Sequence, residues 1–376
     1  MRWPVVSGVA AAALLVGAVL SWTTIRQGRE FERLIADGDA AVAQSQMFVA
    51  IEAFSGALAL RDDSMLAYLK RGDAYRRRGE FAAALRDLRQ AAQLEPTAPR
   101  PAELLGDVNA AMGRYARALE DYQRFIRLDD RSPRVLYKLA LTYYRNGQAA
   151  RAIEPLRQSI AMDGTLAESH YLLGLCLRDE GRTRDALTSL ERAVTVNPAL
   201  AEARDALADL YTALNRDSDS IEQLEALAAL EPGRAEPIVR VGLAYAKQGR
   251  TDSAILTLGR AADRYPDDPA IYTALGRVWL ASTAGRIDRV ALAKAREALE
   301  GAASRPTATS ETLTLYGRAL YLSGSIEAAE RTLLQATARP PVDVDAFRYL
   351  AEVATRLRHA PIARDAERRY EALTAN

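Results

Sequence analysis

Small and large apolar positions alternate with polar ones in a pattern that returns every 34 residues. Gly38 opens a series of small residues with this spacing, and the series continues to Gly276 without slippage. Its members are Gly38, Gly72, Gly106, Ala140, Gly174, Ala208, Gly242 and Gly276. A second small-residue series follows the first at a distance of twelve residues: Ala50, Ala84, Ala118, Ala152, Ala186, Ser220 and Ala254. A fixed period of this length indicates an array of equivalent supersecondary units.

The polar positions show where each unit turns and where it ends. Between the two small-residue series lies a residue that tolerates the left-handed conformation at a helix end. These residues are Gly79, Gly113, Gly147, Gly181, Asn215 and Gly249. Pro96 and Pro198 stand between units, as do Pro232 and Pro266, and proline starts a following helix well. Each unit therefore predicts a helix, a tight turn, a second helix and a short link.

The helix–turn–helix unit of constant length resembles the tetratricopeptide repeat, and the resemblance covers residues 31–376. The unit at 65–98 shows the pattern clearly, with Tyr68, Gly72 and Tyr75 at helical spacing before the turn, and Ala84 and Leu88 after it. The resemblance implies an all-α, right-handed superhelical solenoid of about ten 34-residue repeats. A generic helical bundle is the alternative, but it does not explain a constant spacing.

The pattern departs from the repeat near its carboxyl end. From Gly276 to Gly317 the spacing is 41 residues, which predicts a seven-residue insertion near 281–290. A regular ninth unit follows, and a looser tenth unit lies around Leu350. The second helix of the tenth unit ends in the charged run Arg364–Arg369, as expected of a repeat that caps a solenoid with a polar outer face.

The amino-terminal segment, residues 1–30, has a different composition. No charged residue occurs between Arg2 and Arg26, and this stretch of 23 residues would span about 35 Å as a helix. A hydrocarbon core is about 30 Å thick, and Trp3 and Trp22 stand at the two ends, where indole rings favour the interface. The segment predicts a single transmembrane anchor. A cleaved signal peptide is the alternative, although no clean small-x-small cleavage site precedes the charged residues. A buried core helix is a third reading.

The orientation of this anchor rests on few charges. Arg26, Arg29 and Arg33 follow the span, which favours a cytoplasmic body on a count of basic residues. The short basic start before the span instead resembles the signal anchors of envelope proteins. This resemblance favours an inner-membrane protein, crossing once, with its solenoid on the periplasmic side rather than the cytoplasmic side.

Charge and composition argue against several classes of function. Fifty basic and 49 acidic side chains give a net charge of +1, so no cationic surplus is present for binding nucleic acid. Cys176 is the single cysteine, and the two histidines, His170 and His359, lie far apart. His170 and Cys176 are six residues apart on one predicted helix and so on different faces. We therefore expect no enzyme, no catalytic or metal site, no cofactor and no small-molecule substrate.

The family resemblance also implies where a partner protein would bind. In this family the first helix of each repeat lines the concave face at its second, fifth, ninth, twelfth and thirteenth positions. Carried onto the fourth to seventh units, these positions predict a partner-binding surface of tyrosines, leucines and arginines, as is typical of hot spots. Its residues are Tyr137, Leu141, Tyr144, Arg145, Tyr171, Leu175, Arg178, Val239 and Leu243. Asp205 and Asp209 interrupt the surface in the sixth unit.

Two further features bear on partners. Family members that grip the acidic carboxyl terminus of chaperones use lysine and asparagine at the fifth and ninth positions of the first repeat. This chain has Ile35 and Asp39 there, so the resemblance does not extend to that role. The basic cluster between Lys70 and Arg78 is interpreted as a solvated helix face, or alternatively as a contact for anionic lipid head groups.

The leading hypothesis is a membrane-anchored bacterial repeat protein that acts as a scaffold or assembly factor for a membrane or envelope complex. The alternative is a regulatory adaptor that delivers client proteins to a membrane enzyme. Partner identity separates the two hypotheses, and a repeat array does not reveal it.

Overall fold

The computed structural model describes the backbone of residues 3–283 and 288–375, and side chains from Trp22 onward. Within these ranges the chain forms twenty α-helices and no strand. The helices fall into two compact units, residues 1–196 and 197–376. In both units, consecutive helices pack as antiparallel pairs, one pair to each repeat, and each pair contacts the next.

The first unit contains five helix pairs. Its helices are α1 (Trp3–Ala43), α2 (Met47–Leu60), α3 (Met65–Arg77), α4 (Phe81–Leu94), α5 (Arg100–Ala111), α6 (Tyr115–Leu128), α7 (Pro133–Arg145), α8 (Ala149–Met162), α9 (Ala167–Asp179) and α10 (Thr183–Val196).

The second unit contains another five pairs. Its helices are α11 (Ala201–Ala213), α12 (Asp217–Leu230), α13 (Glu236–Lys247), α14 (Thr251–Arg264), α15 (Pro269–Ser282), α16 (Arg289–Ala303), α17 (Ser310–Leu322), α18 (Ile326–Thr337), α19 (Val344–Arg356) and α20 (Ala360–Thr374).

The small-residue series marks the place where the two helices of a repeat cross. A Cβ atom added to Gly174 in α9 would lie 2.6 Å from Cγ of Leu190 in α10. The same closeness recurs at Gly106 in α5, where the ring of Tyr122 in α6 is 2.6 Å away. Glycine is required there because the facing large side chain fills the space next to the backbone. The predicted role of the series is confirmed.

The turn between paired helices takes the left-handed backbone conformation that the sequence predicted. The φ angle is +80° at Gly79, +71° at Gly147 and +57° at Asn215. After Gly79, the amide of Glu80 donates to the carbonyl of Tyr75 at 2.9 Å, which satisfies a carbonyl of the last helical turn. Links between repeats use side-chain caps instead, as when Ser64 accepts from the amide of Ala67 at 3.2 Å.

The lengthened eighth repeat keeps its helix pair. Helix α15 ends at Ser282 and α16 begins at Arg289, so the added length falls between them, and residues 284–287 of the predicted 281–290 insertion lie outside the described residues. Asp288 caps α16 by accepting from the amide of Val290 at 2.8 Å. In the tenth repeat α20 buries only Ala363 and Ala366 and exposes a charged outer face, as expected of a terminal cap.

The backbone of the amino-terminal segment continues directly into the first repeat. Helix α1 runs from Trp3 to Ala43, and its part within the repeat buries Phe31 and Ile35 against α2. Over the residues that the structure describes, no helix combines the length and the apolarity needed to cross a membrane. The predicted anchor falls mostly on residues 1–21, whose side chains lie outside that description. The anchor therefore stays a prediction.

Candidate partner-binding surfaces

The first surface lies on α7 and α9, which contact each other as first helices of adjacent repeats. We call it the tyrosine face and define it by Tyr137, Leu141, Tyr144, Arg145, Tyr171, Leu175 and Arg178. The three tyrosines and Leu141 are half-buried, whereas Arg145 and Arg178 are exposed. Leu175 is only 9% exposed, so it contributes chiefly to packing. The sequence-predicted residues of the fourth and fifth repeats therefore meet on two neighbouring helices.

A polar contact orders one edge of the tyrosine face. Tyr144 on α7 hydrogen-bonds through its hydroxyl to the Asp179 carboxylate at the end of α9; burial, the charge of Asp179 and this bond together raise the pKa of Tyr144. Arg178 contacts the same carboxylate through Nε at 3.2 Å and Nη2 at 3.1 Å. Asp179 occupies the thirteenth position of its repeat, and the sequence analysis did not single it out. It links Tyr144 to the next repeat.

The remaining two predicted residues, Val239 and Leu243, lie in the second unit and belong to a different surface. They line a concavity of about 240 Å³ formed by α13, α15 and the link and start of α17. Val239 is 8% exposed and Leu243 is half-buried. Arg277 and Glu311 also line the concavity and form an ion pair across neighbouring repeats. The sequence analysis did not include either residue.

A further set of ion pairs connects the first helices of adjacent repeats. A cation at the sixth position of one repeat contacts carboxylates at the fifth or ninth position of the preceding repeat. The pairs are Lys70 with Asp39, Lys138 with Glu103 and Asp107, and Arg240 with Asp205 and Asp209. The acidic residues predicted to interrupt the concave face are thus neutralised by the chain itself. The spacing of the three cations, in multiples of 34 residues, was a signal present in the sequence.

The most enclosed of these contacts is that of Lys138. Its Nζ lies 2.7 Å from Glu103 and 2.8 Å from Asp107, and the Glu103 side chain is 8% exposed. Burial by itself would raise the pKa of Glu103, but the hydrogen bond and charge of Lys138, with the charge of Arg100, lower it. Glu103 is therefore ionised at neutral pH and depends on cations from its own and the following repeat.

The basic cluster from Lys70 to Arg78 is also paired internally. Arg71 forms a two-pronged contact with Asp87, with distances of 2.6 and 3.0 Å. Arg76 and Arg77 share Asp73, and Arg78 contacts Glu80 at 3.0 Å. The cluster carries little uncompensated charge, which favours its interpretation as a helix face over a contact for anionic lipid.

The two residues with the most familiar chemistry are held in the interior. His170 is 8% exposed, and its Nε2 lies 3.2 Å from the carbonyl oxygen of Gly164. Cys176 is fully buried, and burial raises the pKa of its thiol to about 12, so the thiol is protonated at neutral pH. In the described part of the chain, no three His, Cys, Asp or Glu side chains are grouped so as to hold a metal ion.

Comparison with protein families identifies the repeat. Residues 65–98, 171–235 and 235–278 each match a tetratricopeptide-repeat profile. Residues 115–193 match the profile of subunit 3 of the anaphase-promoting complex, or cyclosome. Among curated proteins no sequence match is found. The predicted tetratricopeptide repeats are confirmed.

Solved structures show the same fold. The C-terminal part of a TPR repeat-containing protein from Cytophaga hutchinsonii has 17% sequence identity and a TM-score of 0.55, over 63% of this chain and 98% of that one. The MamA protein has 27% identity and a TM-score of 0.42, over 45% of this chain and 92% of MamA. YrrB, described as a TPR protein with an unusual peptide-binding site, has 20% identity and a TM-score of 0.43, over 49% and 94%.

Proposed function

We propose that this protein is a non-catalytic scaffold or assembly factor that binds a segment of a partner protein on its tyrosine face. The repeats provide the class of function, since tetratricopeptide arrays are protein-interaction modules. The tyrosine face provides the place, because it combines half-exposed aromatic rings with exposed arginines. Fold alone does not identify the partner, so its chemistry has to come from these side chains.

The observation that carries the proposal is the fixed arrangement of Tyr144. Its hydroxyl is engaged by Asp179 of the next repeat while its ring stays half-exposed. A tyrosine that is already held loses little conformational entropy when a partner covers it, and such preorganisation favours affinity. Rigid aromatic side chains with a polar tip are typical of the residues that dominate binding energy.

The composition of the face indicates what a partner segment offers. Tyr137, Leu141 and Tyr171 provide apolar surface, while the exposed Arg145 provides a positive charge at one edge. A segment with two or three large apolar side chains and a carboxylate beside them complements this arrangement. The partner in the proposal is therefore a protein segment of that kind, and no nucleic acid is involved.

We further propose that residues 1–30 tether the array to the inner membrane, with its body on the periplasmic side. The uncharged stretch of 23 residues supports this proposal, because its helical length matches a hydrocarbon core. A tether of this kind would confine the binding surfaces to the vicinity of the bilayer, which suits a scaffold for a membrane or envelope complex.

The full-length chain, tagged at its carboxyl end and purified from detergent-solubilised membranes, tests the binding site. We expect the double variant Tyr144→Ala/Tyr171→Ala to lose about 2 kcal/mol of binding energy or more, which is about 30-fold in affinity. The matched control is Leu128→Ala/Met162→Ala, which removes two apolar side chains that are 39% and 50% exposed on second helices. The control is expected to retain its co-purifying proteins.

Two results of this purification bear on the proposal directly. A Tyr144/Tyr171 variant that retains its partner but melts much earlier than the wild type contradicts the site, because the tyrosines would then be packing residues. Recovery of one complex in fixed stoichiometry supports the scaffold. Recovery of many substoichiometric clients with one enzyme supports the adaptor instead.

A further inference from the structure

A groove between α15 and α16 lies apart from the first-helix surfaces described above. Its volume is about 540 Å³, and Tyr272, Leu275 and Trp279 on α15 form its floor. These three residues recur at helical spacing, so their side chains share one face. Ala298 and Gly301 of α16 form the facing wall. We call this the α15–α16 groove.

Gly301 opens the wall where other repeats close it. It stands two residues after Leu299, the large residue that packs over Gly276. Seven other repeats carry a long polar side chain at this position: Gln90, Arg124, Gln158, Arg192, Arg260, Gln335 and Arg369. A Cβ atom on Gly301 would meet nothing within 4 Å, so internal packing does not require a glycine there. A glycine inside a helix is destabilising relative to alanine, and here the fold gains nothing from it.

The neighbouring helix α14 also withholds a side chain from the groove floor. Trp279 occupies the place that Tyr245 has one repeat earlier, where the Tyr245 hydroxyl donates to Glu225 at 2.9 Å. In the fourth repeat Tyr143 stands at the same place and accepts from Gln123 at 2.7 Å. The residue that corresponds to Glu225 and Gln123 beside Trp279 is Gly259. A Cβ atom there would again meet nothing within 4 Å.

Positive charges stand at the two ends of the groove. Nζ of Lys294 lies 4.8 Å from the centroid of the Trp279 ring. Arg305 lines the other end, where it donates to the main-chain oxygen of Asp267 and lies 3.8 Å from its carboxylate. Glu297 lines the wall between them. The two cations are separated by eleven residues of helix, or about 16 Å, which equals the reach of about five extended residues.

We propose that the α15–α16 groove binds a short linear segment of a partner protein, with aromatic or aliphatic side chains at its centre and carboxylates on both sides. The aromatic floor receives the central side chains, and Lys294 and Arg305 attract the flanking carboxylates. Glu297 disfavours a carboxylate at the centre, which fixes the order of charges. This second site is independent of the tyrosine face, so one chain can hold two partner segments.

The test uses the full-length chain in detergent micelles, with Trp3→Phe and Trp22→Phe so that Trp279 is its one tryptophan. The probes are immobilised hexapeptides with two acidic residues at each end and two central residues drawn from Phe, Tyr, Trp, Leu, Ile, Met and Val. Hexapeptides with lysine at the flanking positions serve as the charge-reversed set. We expect acidic-flanked peptides to bind, and a soluble copy of the best one to shift Trp279 fluorescence.

Gly301→Gln is the decisive variant because glutamine occupies this position in three other repeats. We expect it to melt no lower than the parent protein and to bind the selected peptide at least tenfold more weakly. Lys294→Glu should also weaken binding, while Ala226→Gln, at the equivalent position of the sixth repeat, should leave it unchanged. Equal binding by Gly301→Gln and its parent, or by acidic and lysine-flanked peptides, would show the proposal to be wrong.

Failure at this groove is distinguishable from failure at the tyrosine face. The Tyr144→Ala/Tyr171→Ala variant is expected to bind the hexapeptide normally, and Gly301→Gln is expected to retain the partner held by the tyrosine face. Loss of hexapeptide binding in the tyrosine double variant would overturn the independence of the two sites.

Discussion

At the scale of single residues, the glycines of this chain divide into two groups with opposite effects on stability. Gly174 stands at a helix crossing, where an added Cβ would lie 2.6 Å from Leu190. Gly259 stands inside a helix with nothing within 4 Å of such an atom. The first group is required by packing, whereas the second group weakens its helix without any packing benefit. Sequence spacing identified the first group but gave no means of recognising the second.

We predict that Gly174→Leu destabilises the protein clearly. A leucine side chain cannot enter the crossing of α9 and α10 without displacing Leu190 or the backbone, and overpacking of this kind costs about 1–3 kcal/mol. Thermal unfolding followed by circular dichroism measures the effect. Gly259→Ala is the control, and we expect it to be neutral or to stabilise by up to about 1 kcal/mol. An unchanged melting temperature in Gly174→Leu would show that the small-residue series is not the crossing point.

At the scale of helices and repeats, the sixth-position cations act as electrostatic links between neighbouring first helices. Their value depends on burial: Asp39, the partner of Lys70, is half-exposed, whereas Glu103, the partner of Lys138, is 8% exposed. Exposed pairs contribute little to stability, while removal of one partner from a buried pair leaves a charge without compensation. The same motif therefore has unequal effects along the chain.

We predict that Lys138→Met lowers the stability at neutral pH by about 2 kcal/mol, since the Glu103 and Asp107 carboxylates lose their shared donor. Lys70→Met is the matched control, and its cost is expected to stay below about 1 kcal/mol. Melting temperatures at pH 7 measure both. A cost for Lys70→Met as large as that for Lys138→Met would contradict the dependence on burial.

The same substitution predicts a pH dependence with a definite sign. In the wild type the pKa of Glu103 is lowered from 4.5, so its contribution to stability is present above that value and is lost as the pH falls through the lowered pKa. Without Lys138, the burial of Glu103 favours its protonated form. The stability difference between wild type and Lys138→Met should therefore narrow between pH 7 and about pH 4. A difference that stays constant over this range would be evidence against the Glu103–Lys138 link.

The helix pairs were predictable from the sequence because the period is long and the left-handed turn residues are explicit. The turn at Asn215 has a φ of +57°, as expected from its place in the glycine series. The tyrosine face was predictable only as a set of positions. Its hydrogen bond from Tyr144 to Asp179 depends on side-chain rotamers, which a repeat pattern does not encode. The groove at Trp279 depends on what Gly259 and Gly301 lack, and it becomes visible only when the repeats are superposed in space.

At the scale of the whole molecule, the connection between residues 1–30 and the repeats determines how far the binding surfaces can move. The backbone of α1 is helical from Trp3 to Ala43, and Phe31 and Ile35 of the same helix are buried in the first repeat. A helix without a break is a stiff connection, unlike a glycine- or serine-rich linker. If the proposed tether is correct, the first repeat is fixed in orientation to the bilayer, and its partner must lie within reach of that position.

We predict that the full-length chain remains in the membrane pellet after extraction with alkaline carbonate, whereas a chain beginning at Phe31 is recovered in the supernatant with its helical content intact. The uncharged stretch from Trp3 to Ile25 provides the apolar length for retention, while the truncated chain keeps every repeat. Insertion of four glycine–serine pairs after Glu30 is the control, since it makes the connection flexible without shortening the apolar segment and should leave retention unchanged. Intact mass spectrometry of the protein from membranes completes the test, because loss of about the first twenty residues would establish a cleaved signal peptide in place of an anchor.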